Sequence, residues 1–600
     1  MQTSHSAASP EAATAIAARV AALLEQMTLA EKIGQMTQVE KNSITPEEVA
    51  RYAIGSVISG GGGNPSPNTP QSWAAMVRAF QEGALQSRLA IPIIYGVDAV
   101  HGHNNVYGAT IFPHNVGLGA TRDPALVEAI GSAVARELVA TNVHWDFAPC
   151  VAVPQDIRWG RTYEGFGEDP ELVSALGAAF IRGMQNRNGR RALDHPHAAL
   201  ACPKHFVGDG GAVWGTTRSY PWLGPLWTSD DDRYSIDQGV TAVDEATLRA
   251  VHLPPYRAAI EGGARNIMVS YTTWGGLKMH AHRYLLTGVL KGELGFSGFL
   301  VSDWLAIQQL DPDLRKGAAT AINAGLDMVM VPYDYRAFIE ALTAAVEAGE
   351  VPQERIDDAV SRILTVKLEL GLFEQPHGDE SLLPVVGSEE HRALARRAVR
   401  QSLVLLKNEG GVLPLGRDLP RLLVAGRGAG DIGIQCGGWT IEWMGTPGPI
   451  TPGATLLDGL RAAAPQTELL YDAEGQFAPD VRAPVGLVVV GEMPYAEGEG
   501  DRADLSLSAA DRELLRRVRR HCDRLVVVLY SGRPLVVTGE IDDWDALVAA
   551  WLPGSEAGAI AGVLFGDHPF QGRLPYTWPR DMAKVADGTG EPLFPYGFGL

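Results

Sequence analysis

Cysteine is scarce in this chain: Cys150, Cys202, Cys436 and Cys522 are the only four in 600 residues. They are scattered, with no C-x-x-C pair and no Cys/His zinc spacing, which excludes a disulfide framework and a zinc-finger module. No run of about 18 apolar residues occurs, so no membrane-spanning helix is expected. Residues 1–14 lack a basic start followed by an apolar core, so no secretory leader is read there. The chain then fits a cytoplasmic protein or the mature form of an exported one. Basic residues are also in deficit: 50 Lys and Arg against 70 Asp and Glu leave a formal charge of −20. Nucleic acid and anionic membrane surfaces are disfavoured as partners, because that surplus repels both. No repeat at solenoid periods is evident. What is present is globular in composition, 46% hydrophobic and 20% charged, with length enough for two to four domains.

Through residue 374, apolar runs at 54–59, 91–96, 145–150, 198–203, 266–271, 299–303 and 326–331 alternate with helical patterns such as 124–141, 170–185, 245–261 and 335–348. Near-continuous apolar strands separated by helices indicate a parallel sheet buried on both faces. The pattern predicts an α/β fold, a (β/α)8 TIM-type barrel over residues 1–374. Asp98, Lys204, His205 and Asp303 follow or end predicted strands, and in a barrel those ends share the face that carries active sites. Residues 375–388 turn to Pro, Gly and acid and read as a linker. A second series then fills residues 389–600: a helix at 389–402 and strands at 421–425, 468–471, 485–491, 524–530 and 546–551. It predicts an α/β sandwich or doubly wound domain.

Several motifs carry chemistry, each with a plainer structural explanation beside it. Gly428-Ala-Gly430-Asp-Ile-Gly433 matches G-x-G-x-x-G after a predicted strand. Trp439 and Trp443 follow it where a helix, a second strand and a ribose-binding acid belong, so no nucleotide site is expected. His101, His103 and His114 crowd one loop; with no third ligand at zinc spacing they read as hydrogen-bonded histidines rather than metal ligands. Asp303 ends an apolar strand, where an Asp commonly caps the next helix. Followed by Trp304, it equally suits carbohydrate chemistry: a nucleophile for an anomeric carbon beside a flat face for a pyranose ring. Arg161 lies in an aromatic-rich loop, and Lys204-His205 on a glycine-bordered turn. With Asp98 they are either a salt-bridged network closing the barrel or donors and acceptors for sugar hydroxyls. Glu492, Glu497 and Glu499 stand among glycines after a second-domain strand. That loop is either solvated or the source of the second carboxyl that a retaining glycosidase needs about 5–5.5 Å from its nucleophile.

Taken in order, these segments resemble glycoside hydrolase family 3, near its plant and bacterial β-glucan exohydrolases and β-glucosidases. The matching motifs run almost end to end. They are Tyr95-Gly-Val-Asp98, Trp159-Gly-Arg161, Lys204-His205-Phe-Val-Gly, Met268-Val-Ser-Tyr271 and Ser302-Asp303-Trp304, then Gly437-Gly-Trp439-Thr-Ile-Glu-Trp443, the 491–501 loop and the closing Phe594-Pro-Tyr-Gly-Phe-Gly-Leu600. The resemblance implies a (β/α)8-type barrel followed by an α/β sandwich, with the active site at their junction. It implies a retaining, exo-acting β-glucosidase or β-glucan glucohydrolase that takes β-glucosides or β-gluco-oligosaccharides and requires no cofactor and no metal. By position in the motifs, Asp303 is the nucleophile and Glu497 the acid/base, with Glu499 as the rival. Asp98, Arg161, Lys204, His205 and Tyr271 hold the terminal glucose, with Met268 beside it, and Trp304 and Trp443 face each other across the next sugar. The alternatives are a β-xylosidase or N-acetylhexosaminidase on the same scaffold or, from another class, a non-catalytic sugar-binding protein.

The chain departs from the family pattern in two places. An aromatic-rich stretch at 211–238 carries Trp214, Tyr220, Trp222, Trp227, Tyr234 and the acidic residues 230–232, placed either at an outer sugar subsite or over the barrel rim. Gln309 stands where similar members carry an arginine shortly after Ser-Asp-Trp. No His follows closely on the Lys-His-Phe loop, which argues against the family branch that uses a His-Asp acid/base.

Overall fold

The computed structural model describes residues 10–187, 190–191, 193–223, 234–587 and 589–600. Eight short strands organise the first half: β1 (Thr37–Glu40), β2 (Ser56–Ser59), β3 (Ile94–Val97), β4 (Trp145–Asp146), β5 (Leu200–Ala201), β6 (Asn266–Met268), β7 (Phe299–Val301) and β8 (Val329–Met330). Strands β8, β1, β2, β3, β4 and β5 pair in that order, every pair parallel. β6 and β7 pair in parallel as well. Parallel bridges from Phe206, just past β5, to Val269 and from Val301 to Met328 join that pair to its neighbours and close the ring. The result is the predicted (β/α)8-type barrel, with helices such as Pro124–Ala140, Pro170–Gln185 and Tyr335–Glu347 outside it.

The barrel is filled rather than hollow. Trp145 meets Phe147 and Phe299 edge to face at 4.8 and 5.3 Å, an arrangement aromatic quadrupoles favour. Gly96 in β3 has no alternative: a Cβ there would lie 2.4 Å from the Phe147 ring. β1 reads Thr-Gln-Val-Glu, yet all four residues are buried. Its polarity is tolerated because partners are built in, as where Gln38 donates to the Ser56 hydroxyl at 2.8 Å.

Residues 375–388, read as a linker, are fastened to the barrel. Gln81 donates to the Pro376 carbonyl at 2.7 Å, the Gly378 N–H donates to Asn142 at 2.7 Å, and Arg78 pairs with Glu380.

The second half holds β9 (Val404–Asn408), β10 (Arg421–Ala425), β11 (Glu468–Asp472), β12 (Ala483–Gly491), β13 (Cys522–Tyr530) and β14 (Ala546–Trp551). Their order is β9-β14-β13-β12-β10-β11, parallel throughout except for β9 against β14. Strand order reverses between β10 and β12, the place where open α/β sheets form a crevice at their carboxyl ends. Here the two loops that leave those strand ends run to the mouth of the barrel. The halves are tied at many points: Tyr163 OH donates to the Tyr495 carbonyl at 2.7 Å, Tyr576 OH to the Thr162 carbonyl at 3.0 Å, and His391 meets Glu137 at 2.7 Å.

Candidate active site

A cavity of about 490 Å³ lies at the carboxyl end of the barrel strands, roofed by the loops after β10 and β12. All ten residues selected from the sequence line it: Asp98, Arg161, Lys204, His205, Met268, Tyr271, Asp303, Trp304, Trp443 and Glu497. Asp98 follows β3, Met268 ends β6 and Asp303 lies two residues past β7, so barrel topology alone converges these three.

Asp303 is buried, and its Oδ1 accepts the Trp304 N–H at 2.7 Å. Its own N–H donates to His280 Nε2 at 3.2 Å, and Oδ2 lies 3.7 Å from His205 Nε2. Burial pushes the carboxyl up to about 6, with Arg161, the Trp304 N–H and Lys204 pulling against it. Tyr271, whose hydroxyl donates to the Trp304 carbonyl, fixes the chain just past this carboxyl.

Arg161 organises the floor. Its Nε and Nη2 grip Glu164 at 3.0 and 2.9 Å, Nη1 donates to Glu497 Oε1 at 3.0 Å, and Nη2 reaches His205 Nε2 at 3.1 Å. Burial, with Arg161 and Lys204 adjacent, holds His205 well below its usual value, so the ring is neutral. Nε2 then accepts from Arg161, and Nδ1–H donates to Asp209 at 2.8 Å. Lys204 donates to Asp98 at 2.8 Å and lies 5.6 Å from the Trp439 ring centroid. Burial disfavours its ammonium, but Asp98 holds it above the ordinary value, so it stays charged.

Glu497 opens a tight turn, Glu497–Gly500, with φ +51°, a left-handed conformation uncommon for a residue with a side chain. Burial raises its carboxyl to about 8; Arg161 opposes, while Asp237, Asp303 and Glu164 add to the rise. The other two glutamates stand elsewhere. Glu492 takes Arg533 at 3.0 Å, Arg502 at 3.1 Å and the Tyr495 hydroxyl at 2.8 Å; against burial, those two arginines hold its carboxyl below the usual range. Among the described residues that line the cavity, Glu499 does not appear.

Aromatic walls complete the cavity. The four-glycine run at 60–63 passes under both tryptophans: a Cβ at Gly60 would lie 3.2 Å from the Trp304 ring, and one at Gly61 would lie 2.7 Å from Trp443 Cβ. Only glycine permits that approach. Sequence reasoning assigns no site role to Trp439, Glu40 or Tyr333, which also line the cavity. Trp439 is legible, being in the same motif as Trp443, and its Nε1 donates to Glu164 at 3.1 Å. Tyr333 meets Trp304 edge-on at 5.7 Å, a contact no local motif announces. Of the aromatic stretch, Tyr234 reaches the cavity, whereas Trp222 is half exposed and donates to the Gln308 carbonyl at 2.8 Å. Trp227 and residues 230–232 lie outside the described residues. Gln309 is buried and donates to Gln238, a lining residue, at 2.8 Å.

The motifs with other readings are structural. His101 and His114 stack at 3.6 Å; His101 meets Thr440 at 3.1 Å and His114 meets the Gly438 carbonyl at 3.2 Å, so they fasten the 437–443 loop to the barrel. His103 meets Thr141 at 2.8 Å, and burial holds His103 and His114 down to about 3. No group of three or more His, Cys, Asp or Glu could hold a metal ion among the described residues. In the G-x-G-x-x-G segment, Gly433 packs where a Cβ would sit 1.9 Å from the Thr446 carbonyl oxygen.

Two carboxyls, Asp303 buried and Glu497 partly so, a ring of hydrogen-bonding polar groups and flat aromatic walls, set at the mouth of a (β/α)8 barrel, are the equipment of a glycoside hydrolase. The comparisons agree. The model of the glycosyl hydrolase family 3 N-terminal domain matches residues 28–221 and 229–366, and that of the C-terminal domain matches residues 403–600. The chain belongs to glycoside hydrolase family 3. A lysosomal beta glucosidase of Dictyostelium discoideum is 32% identical over 96% of this chain and 75% of its own length. A beta-xylosidase of Formosa agariphila is 30% identical over 97% of this chain and 78% of its own. The crystal structure of an exo-1,3/1,4-beta-glucanase from a Pseudoalteromonas species superposes with a TM-score of 0.90 at 38% identity, covering 100% of this chain and 75% of that one.

Proposed function

We propose that the protein is a retaining, exo-acting β-glucosidase that releases glucose from the non-reducing end of β-glucosides and β-gluco-oligosaccharides. The observation that carries this reading is the meeting of Asp303 and Glu497, one from each half of the chain, in a single aromatic-walled cavity. Asp303 attacks the anomeric carbon while Glu497 protonates the departing oxygen, and a covalent glucosyl-enzyme forms. Glycosylation removes the negative charge on Asp303 that helps raise Glu497. Glu497 then becomes a stronger acid and stays ionised, and as carboxylate it deprotonates the water that releases glucose. Asp98, Lys204, Arg161 and His205 hold the ring hydroxyls, Met268 and Tyr271 pack beside the ring, and Trp304 and Trp443 grip the next sugar by stacking. Both steps run on carboxyl groups alone, so no cofactor is required.

Because stacking is less directional than hydrogen bonding, several β-linkages should be accepted. The xylosidase relative supports a second reading, removal of xylose, which lacks the hydroxymethyl group of glucose. A panel of aryl β-glycosides separates the two, and proton NMR of the first-formed product tests the stereochemistry: β-glucose supports the scheme, α-glucose refutes it.

A further inference from the structure

The turn that presents Glu497 ends in a carboxyl for which the reaction has no use. Asp501 is buried and accepts four backbone N–H bonds, all from barrel segments. Gly160 donates to Oδ1 at 2.8 Å; Ser235, Ile236 and Asp237 donate to Oδ2 at 2.9, 2.8 and 2.9 Å. Three consecutive N–H groups converging on one oxygen make an anion-binding nest. Burial and the neighbouring Asp237 push the Asp501 carboxyl up to about 7, and the nest's N–H groups pull it back. Without an acceptor they would be buried donors lacking partners, a state folded chains avoid.

The socket is closely fitted around the turn. Gly160 leaves no room for a side chain, since a Cβ would lie 1.9 Å from the Glu497 carbonyl oxygen. Tyr234 covers Gly498 so tightly that a Cβ there would lie 2.0 Å from its ring. The Asp501 N–H returns to the Gly498 carbonyl at 3.0 Å and closes the turn. Arg533 braces it from beneath, donating to the Gly500 carbonyl and, at 2.8 Å, to the Arg158 carbonyl of the barrel. The Glu497 backbone, in a left-handed conformation, is thus held from outside its own domain.

We infer that Asp501 is the positioning residue of the acid/base: it plugs the Glu497 turn into a backbone nest on the barrel, and the nest sets where the Glu497 carboxyl stands. This rests on Glu497 being the acid/base. It gives the 234–237 segment, at the end of the aromatic stretch, a role as half of the socket. Asp501 touches neither sugar nor reacting atoms; it acts through four residues of chain.

Asp501→Asn tests the inference. The amide keeps the volume but replaces one accepting oxygen with an NH2 that repels N–H donors. Glu497 then drifts, and protonation of the leaving group suffers. For laminaribiose, whose leaving group needs the proton, kcat/KM should fall about 100-fold, the scale of general-acid assistance. For 2,4-dinitrophenyl β-glucoside, whose leaving group does not, it should stay near wild type, as should the inhibition constant of glucose. A merely structural role would lower all substrates alike or only the melting temperature. Equal losses across leaving groups, or wild-type rates with both substrates, would overturn the inference. Glu497→Ala runs in the same panel: if azide fails to rescue it, the acid/base reading falls instead. Should Asp501→Asn not fold, Asp501→Glu, which keeps the charge but lengthens the plug, is read by the same two substrates with the same supporting and overturning results.

Discussion

Asp303 and Glu497 are both pushed up by burial, to about 6 and about 8, and the cations around them are shared unequally. Asp303 must be ionised to attack, so the rate falls as pH drops through about 6. Glu497 must be protonated to donate, so the rate falls as pH rises through about 8. A bell-shaped kcat/KM profile with its top near 7 is expected for laminaribiose, with limbs that belong to the interacting pair. With 2,4-dinitrophenyl β-glucoside, whose leaving group needs no proton, the alkaline limb should be absent already in the wild type, and its survival would place that limb on another group. Asp303→Asn should lose at least about 10³-fold in kcat, about 4 kcal/mol of added barrier, on either substrate. Wild-type turnover would remove the nucleophile assignment. At this scale the site is largely legible in the sequence, because each lining residue selected sits in a short motif of unusual composition. Glu40 and Tyr333 are not, since nothing local marks a residue whose only distinction is the cavity it faces.

Elements tell a different story. Strands rich in Val, Ile and Leu are readable to within a few residues, as at β12 and β14. β1 escapes a reading by apolar runs because three of its four side chains are hydrogen-bonding groups, and the tertiary partner Ser56 lets Gln38 be buried. β9 escapes it as an antiparallel edge outside the strand–helix alternation. The continuous helix expected at 245–261 is broken into Glu245–Thr247, a wider turn Leu248–His252 and Pro254–Glu261, because Pro254 and Pro255 lack the N–H donors a continuing helix needs. Turns matter most for function. Gly160→Ala should leave circular dichroism unchanged, yet lower kcat/KM for laminaribiose about 100-fold, because the new methyl displaces the Glu497 turn by the order of an ångström. Full activity would mean the turn yields without consequence.

For the whole molecule, the cavity belongs to neither half. Asp98, Lys204 and Asp303 come from the barrel, and Trp439, Trp443 and Glu497 from the sheet domain. Residues 1–374 expressed alone should therefore fail to hydrolyse laminaribiose, and hydrolysis by that fragment would sink the shared-site scheme. In the proposed scheme glucose lies between the barrel residues and Glu497, so saturating glucose should stabilise one common unfolding transition by about 2.7 kcal/mol at a hundredfold excess over Kd. Two transitions in calorimetry, only one of them shifted, would show that the halves respond separately. The two-part layout is visible in the change of pattern near residue 375. The contact of the halves is not, because the carbonyls that Arg533 and Tyr576 seek carry no side-chain signature.

The reversal of strand order between β10 and β12 has an evolutionary side. A doubly wound sheet ordinarily keeps a ligand for itself at that crevice. Here both flanking loops, 426–453 and 492–508, lean out over a neighbour's reaction. Substrate range can therefore diversify by exchanging two loops while the strands of both sheets stay in place, and a transplant of those loops from a relative carries with it the second half's share of the binding site, together with the core residues Trp439, Ala496 and Leu505 that seat the loops.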